Sequence, residues 1–166
     1  VIRYPRGGEA KEKFITHSYI QYKKADILTL GTDVTIVAIG NQVSKAMNVY
    51  RKLKENGIKA EVINARFLKP FDKYTVLKSI MKTRFVITIE DNTIVGGLGT
   101  EVKELIVDKH IQNVRVKNYA YPDVFVEHGS VKELESIYGV DENTIFKYIK
   151  NTIKYKNRTN LKKKIK

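Results

Sequence analysis

Three short stretches of this chain hold the side chains that could do chemistry. "VIRYPRGG" sets two guanidinium groups, Arg3 and Arg6, around a Tyr-Pro pair. Guanidinium is the side chain best shaped to hold a phosphate or carboxylate through two parallel N–H bonds. Pro5 fixes φ between the arginines, while Gly7 and Gly8 permit a sharp turn. Anion binding by at least one arginine therefore stands beside the plainer reading of a charged surface loop. "IEDNTIVGGLGTEV" ends an apolar run with Glu90 and Asp91 and follows them with Gly96, Gly97 and Gly99. Such glycines let a backbone approach an anion ahead of a helix start near Thr100, or serve only turn geometry and helix packing. The stretch is neither a P-loop, which needs Gly-Lys-Ser/Thr, nor a dinucleotide fingerprint, whose glycines follow the strand directly. The two carboxylates could do acid–base work, but neighbours at a strand end point to opposite sides, so one is expected to be structural. "PDVFVEHGS" places His128 just before Gly129 and a helix start. There an imidazole could face a crevice and donate to a phosphate, or be satisfied within its loop.

The other candidates are weaker. "KPFD" reads as a turn in which Asp72 caps the next helix. His17 and His110 lie in polar surroundings, and the three histidines lack metal-ligand spacing. With zero cysteines, disulfides, thiolate chemistry and Cys-based zinc sites are excluded. No Ser-His-Asp or Cys-His arrangement can be argued.

The elements that must position these residues follow from apolar periodicity. Val1 to about Lys24 has no sustained period and reads as an extended lead-in. "ADILTLGTDVTIVAIG" is two apolar runs separated by Gly31-Thr32-Asp33, which predicts a hairpin. Its second run, Val34 to Ile39, is nearly all apolar and β-branched, as suits a strand covered on both faces. Then the chain alternates. A helix carries Val43, Ala46, Met47, Tyr50 and Leu53 on one face and ends near Gly57. "KAEVINA" is a strand, "KYTVLKSIMKT" a helix, "RFVITIE" a strand, "DNTIVGGLG" a loop, "TEVKELIVDKH" a helix and "NVRVKNY" a strand. Ser130 and Glu133 form a capping-box pattern, and Asp141 caps a last helix before a basic end. This order predicts a three-layer α/β/α sandwich around a mixed five-stranded sheet with one antiparallel strand, the first. Ligand crevices in such sheets lie outside the carboxyl ends of the strands. The segments to watch are thus Gly40-Asn41, Ala65 to Asp72, Glu90 to Gly99 and Tyr121 to Gly129.

The 166 residues suffice for one domain with a substantial core. The net charge of +13 suggests nucleic acid until it is located. Lys147 to Lys166 holds eight Lys, one Arg and no acid, leaving twenty-two basic against eighteen acidic residues elsewhere. A polybasic end of this kind reads as a solvated helix terminus running into disorder, with contact to an acidic surface or nucleic acid as the alternative. No run is long enough to span a bilayer, and the first residues lack the apolar core of a signal peptide. A soluble, cytoplasmic protein is expected.

Taken in order, "RYPRG", "TIVAIG", "ARFLKPFD", "TIEDNTIVGGLGTEV" and "YPDVFVEHGS" resemble the C-terminal part of transketolase-family enzymes. The nearest branch is that of the 1-deoxy-D-xylulose-5-phosphate synthases. The resemblance runs to about Ile149 and omits the basic tail. It implies residues 1–24 as the end of a pyrimidine-binding domain and a linker, 25–150 as a transketolase C-terminal domain, and 151–166 as a basic tail. It implies a transferase that condenses pyruvate with D-glyceraldehyde 3-phosphate, releasing carbon dioxide, to give 1-deoxy-D-xylulose 5-phosphate for isoprenoid, thiamine and pyridoxal synthesis. Thiamine diphosphate and Mg2+ are the implied cofactors and a homodimer the implied assembly. Arg6 takes the role of holding the triose phosphate, with Arg3 supporting its loop. The family's diphosphate- and magnesium-binding motif and its activating glutamate belong to other domains and are absent from these residues. The expectation is therefore a fragment inactive alone that binds no cofactor or metal itself. Two alternatives stand: the small subunit of a split transketolase or a 2-oxo-acid dehydrogenase β-like chain, and a polyanion-binding module acting through the tail. Nucleic acid and membrane are not the expected partners.

Overall fold

The computed structural model describes residues 19–164, with 156–164 as backbone only. The strands are β1 (Asp26–Thr29), β2 (Val34–Ala38), β3 (Ala60–Asn64), β4 (Phe85–Thr93) and β5 (Arg115–Tyr121). The helices are α1 (Gln42–Glu55), α2 (Lys73–Thr83), α3 (Leu98–Asp108), α4 (Val131–Ile137) and α5 (Glu142–Lys164). The sheet order is β1-β3-β2-β4-β5. β2, β3, β4 and β5 run parallel, and β1 pairs antiparallel with β3. The expected mixed five-stranded α/β fold is present.

β2 explains the sheet's centre. Its five residues are all fully buried, so both faces must be covered. Ile36 faces the core built with Val43, Ala46, Val49 and Leu53 of α1 and Ile145 and Ile149 of α5. Val37 faces the opposite core, shared with Val76 and Ile80 of α2 and Leu98, Val102 and Leu105 of α3. The period of two along the strand thus sorts alternate residues into two layers. Burying one such branched side chain contributes roughly 1.5–3 kcal/mol. Thr35, the one polar residue here, is satisfied by the Thr83 hydroxyl at 2.9 Å.

The hairpin is a correction. β1 and β2 do not pair, because β3 lies between them. The chain does reverse at Gly31-Thr32-Asp33, but the loop crosses the amino end of β3. The amides of Thr32 and Asp33 donate to the Lys59 carbonyl at 3.0 and 2.9 Å. The Lys59 amide donates to the Asp33 carboxylate at 2.8 Å. A side chain at Gly31 would meet the Ala60 carbonyl carbon at 2.2 Å, so only glycine fits. The parallel crossover from β2 through α1 returns β3, buried from Ala60 to Ile63, beside β2, and that strand displaces β1 outward.

Helix ends follow their sequence signals. Asp72 accepts the Thr75 amide at 3.1 Å and also the Ala25 amide at 3.1 Å, so one carboxylate starts α2 and anchors the entry to β1. Ser130 and Glu133 form the capping box of α4. Asp141 accepts the amides of Asn143 and Thr144 ahead of α5. β4 runs further than expected, through Thr93, with an irregularity in its register between Ile89 and Thr93. α5 continues as helix through the basic stretch to Lys164. No helix of the described residues is long and apolar enough to cross a membrane.

Candidate active-site crevice at the carboxyl ends of the strands

A cleft of about 260 Å³ opens where β2, β4 and β5 end. Gly40, with φ of 61°, turns the chain off β2 so that α1 begins at the rim. Asn41, Gln42, Asp91 and Tyr121 supply the polar lining, and Val126, Val131 and Leu134 the apolar wall. The Asn41 side-chain amide donates to the Asp91 carboxylate at 3.3 Å, and the Gln42 Nε2 donates to the Asn41 Oδ1 at 3.3 Å. Gln42 is buried, and its Oε1 has no hydrogen-bond partner among the described residues. Burial raises the Tyr121 hydroxyl above its ordinary range, and the carboxylates of Glu135 and Asp91 push the same way. Tyr121 is therefore a neutral donor at physiological pH. Among the described residues no lysine or arginine lines this cleft. It is rich in acceptors and suits a ligand that brings N–H or O–H groups.

The glycine stretch does cradle an anion, and the anion is the chain's own Glu90. Its carboxylate is 5% exposed and accepts the Leu98 amide at 2.8 Å and the Gly99 amide at 2.9 Å. These are orphan donors of the first turn of α3, where the helix dipole also favours negative charge. A Cβ at Gly97 would lie 2.0 Å from a Glu90 oxygen, which explains the glycine there. Glu90 is thus committed to the fold at this point. Its neighbour Asp91 points the other way, is exposed, and lines the cleft.

The remaining sequence candidates separate. His128 is exposed in the loop between β5 and α4, the same loop that supplies Val126, but it does not line the cleft. That loop is pinned by the Tyr138 hydroxyl donating to the Glu127 carboxylate at 2.7 Å, a bond that holds Glu127 below the usual carboxylate range. Arg66, in "ARFLKPFD", takes φ of 55° just past β3 and forms an ion pair with Asp26 of β1. Arg3, Arg6 and His17 lie outside the described residues. Gln42, Val131 and Leu134 are the cleft residues that sequence reasoning passed over. The available signal for Gln42 was its place in the first turn after a strand's carboxyl end. Among the described residues no group of three or more His, Asp or Glu could hold a metal ion.

Comparison with known proteins decides the family. The family profile for "Transketolase, C-terminal domain" matches residues 23–145. This chain belongs to the transketolase C-terminal domain family. Among its relatives, the 1-deoxy-D-xylulose-5-phosphate synthase of Halothermothrix orenii is 42% identical over 145 residues, covering 87% of this chain and 23% of that protein. The enzyme of the same name from Desulforudis audaxviator is 41% identical over 142 residues, covering 84% and 22%. The chain thus spans less than a quarter of the length of these curated relatives. Among solved structures, a "split gene transketolase, inactive beta4 tetramer" superposes with a TM-score of 0.77 at 26% identity, covering 86% of this chain and 46% of that one. Transketolase from Campylobacter jejuni, at 17% identity and a TM-score of 0.59, shares the fold. In this transketolase C-terminal domain the crevice is built from the ends of β2, β4 and β5.

Proposed function

We propose that this chain supplies the C-terminal domain of a 1-deoxy-D-xylulose-5-phosphate synthase. That enzyme would condense pyruvate with D-glyceraldehyde 3-phosphate and release carbon dioxide. The observation that carries the reading is the identity of about two residues in five to synthases of that name over most of the chain. The five motifs from "RYPRG" to "YPDVFVEHGS" support it by their order and spacing.

The described residues do not fit thiamine diphosphate or Mg2+. The one pair of helix-terminal amides backed by glycines is taken by Glu90, and no acidic cluster of metal-binding size is present among the described residues. In the synthase reading the cofactor is held by the remainder of the enzyme, and this domain contributes the substrate-phosphate contact through Arg6, with Arg3 supporting the loop. The implied homodimer belongs to the same reading. The 166-residue chain, given both substrates, magnesium and thiamine diphosphate, is expected to release no carbon dioxide. Substantial turnover would overturn the assignment of the cofactor site to another domain. In the full-length enzyme, Arg6→Ala is expected to raise the KM for glyceraldehyde 3-phosphate about 10- to 100-fold, with little change for pyruvate, since only the aldehyde carries phosphate. Equal effects on both substrates would remove Arg6 from the phosphate site.

The match to a split-gene transketolase chain favours a second reading, in which the domain sits on a separate subunit. Co-expression with a cofactor-binding chain and recovery of a stable active complex would support it.

A further inference from the structure

The amino end of the sheet carries a second cleft of about 260 Å³, on the side opposite the crevice. Its lining includes Arg84, Phe85, Asn113 and Arg115 from the entrances to β4 and β5, with Thr152 and Tyr155 from α5. Among the described residues no carboxylate lines it. The two arginines are held side by side, because the Arg115 amide donates to the Arg84 carbonyl at 3.0 Å. Arg115 is the register partner of Phe85, whose ring packs on Tyr148, so its side chain leaves the strand on the α5 face. Among the described residues its guanidinium has no hydrogen-bond or ion-pair partner.

Arg84 adds a separate signal. It closes α2 in the left-handed conformation, with φ of 55°, where glycine sits without steric cost. An arginine there gives up backbone comfort, and strained positions of this kind collect at functional sites. Its Nη1 donates to the Gln112 carbonyl at 3.0 Å, which leaves the rest of the fork available. Asn113, with φ of 59°, is a second left-handed residue at the same rim. α5 reinforces the field, since no acid follows Glu142 in the chain.

We infer that this cleft binds a phosphoryl-bearing small molecule, with Arg84 and Arg115 holding the phosphoryl oxygens and Thr152 and Asn113 donating from the sides. Guanidinium forks match phosphoryl oxygens in geometry, and no carboxylate among the described lining residues opposes the charge. The proposal does not depend on the synthase reading.

The test is calorimetric titration of the full 166-residue chain with inorganic pyrophosphate at constant ionic strength. One saturable site is expected, weakened at least tenfold by Arg115→Ala and less by Arg115→Lys, which keeps the charge but not the fork. Arg84→Gly separates binding from folding. It relieves the left-handed backbone, so the melting temperature is expected to hold or rise while affinity falls at least tenfold. Removal of residues 158–166 is expected to change affinity less than twofold. A second arm uses a single-stranded DNA 12-mer, which is expected to bind no more tightly than pyrophosphate. The proposal is overturned by absence of saturable pyrophosphate binding. It is equally overturned if affinity, for either probe, is lost on removing the tail and unaffected by Arg115→Ala, since the anion would then belong to the tail.

Discussion

Replacing Glu90 by glutamine tests whether the most conspicuous carboxylate of the glycine stretch serves the fold. In the native chain both its oxygens accept backbone amides, at 2.8 and 2.9 Å, from the first turn of α3. Glutamine keeps one acceptor oxygen but turns an NH2 donor toward the second amide, so one N–H is left buried against another donor. Losing a hydrogen bond to a charged group costs roughly 1.5–3 kcal/mol, and a stranded buried donor about 1–3 kcal/mol. The lost helix-dipole interaction adds about 0.3–1 kcal/mol. Relaxation of the loop offsets part of this, and about 2–4 kcal/mol of destabilisation is expected. With a urea slope of about 2 kcal/mol/M, the unfolding midpoint should fall by about 1–2 M. Asp91→Asn, at the exposed neighbouring position, should shift it by less than about 0.3 M. Gly97→Ala presses a methyl group on the same carboxylate. Its cost and that of Glu90→Gln should therefore couple by about 0.5–3 kcal/mol in a double-mutant cycle. A Glu90→Gln chain as stable as the parent would refute the account and return Glu90 to the candidates for acid–base work.

Two further outcomes follow from the same geometry. Gly31→Ala would place Cβ 2.2 Å from the Ala60 carbonyl carbon and 2.4 Å from the Lys59 oxygen, both backbone atoms of the β3 entrance. A cost of at least about 1–3 kcal/mol and a fall of several degrees in Tm are expected, and an unchanged Tm would mean that the loop does not straddle β3 as described. For Asp72, burial pushes the carboxyl upward, but bonds from Thr75 and Ala25 and the charge of Lys24 outweigh it, leaving it below its ordinary 3.8. A depressed folded value means that its contribution is complete above about 3.8 and is lost as pH falls through the lower folded value. Urea midpoints measured from about pH 5 to about pH 2 should show this loss in the parent and a flatter acid limb in Asp72→Asn. A parallel offset at every pH would refute it.

Much of this could be read from residue types because the deciding interactions are local. Asp72, Ser130, Glu133 and Asp141 act on amides two to three residues away, and each capped the helix that its spacing indicated. The apolar run of β2 likewise announces a strand buried on both faces, whatever its neighbours. The crevice was placed by topology, since strand ends must gather in a parallel sheet. What escaped depends on partners distant in sequence. Nothing in "ILTLGTDVTIV" reports that residues 60–64 will insert between its two halves, because turn chemistry specifies a reversal and not the strand that fills it. Glu90 reaches Leu98 and Gly99 only once β4 and α3 have their final angle. Gln42 shares its cleft with Asp91, Tyr121, Val126, Val131 and Leu134, all at least 49 positions later in the chain.

The loop that straddles β3 also sets an order of assembly. Asp26 pairs with Asn64, thirty-eight positions later, and the strands that flank this pair in sequence must already have closed around α1 for the register to exist. β1 is therefore expected to dock last and to leave first. In native-state hydrogen exchange, the amides of Ile27 and Leu28 should open at lower free energy than those of Ile36 and Val37, which lie in the fully buried central strand. The outermost strand then behaves as a latch: it can release the chain entering at Ala25 while the other four strands stay folded.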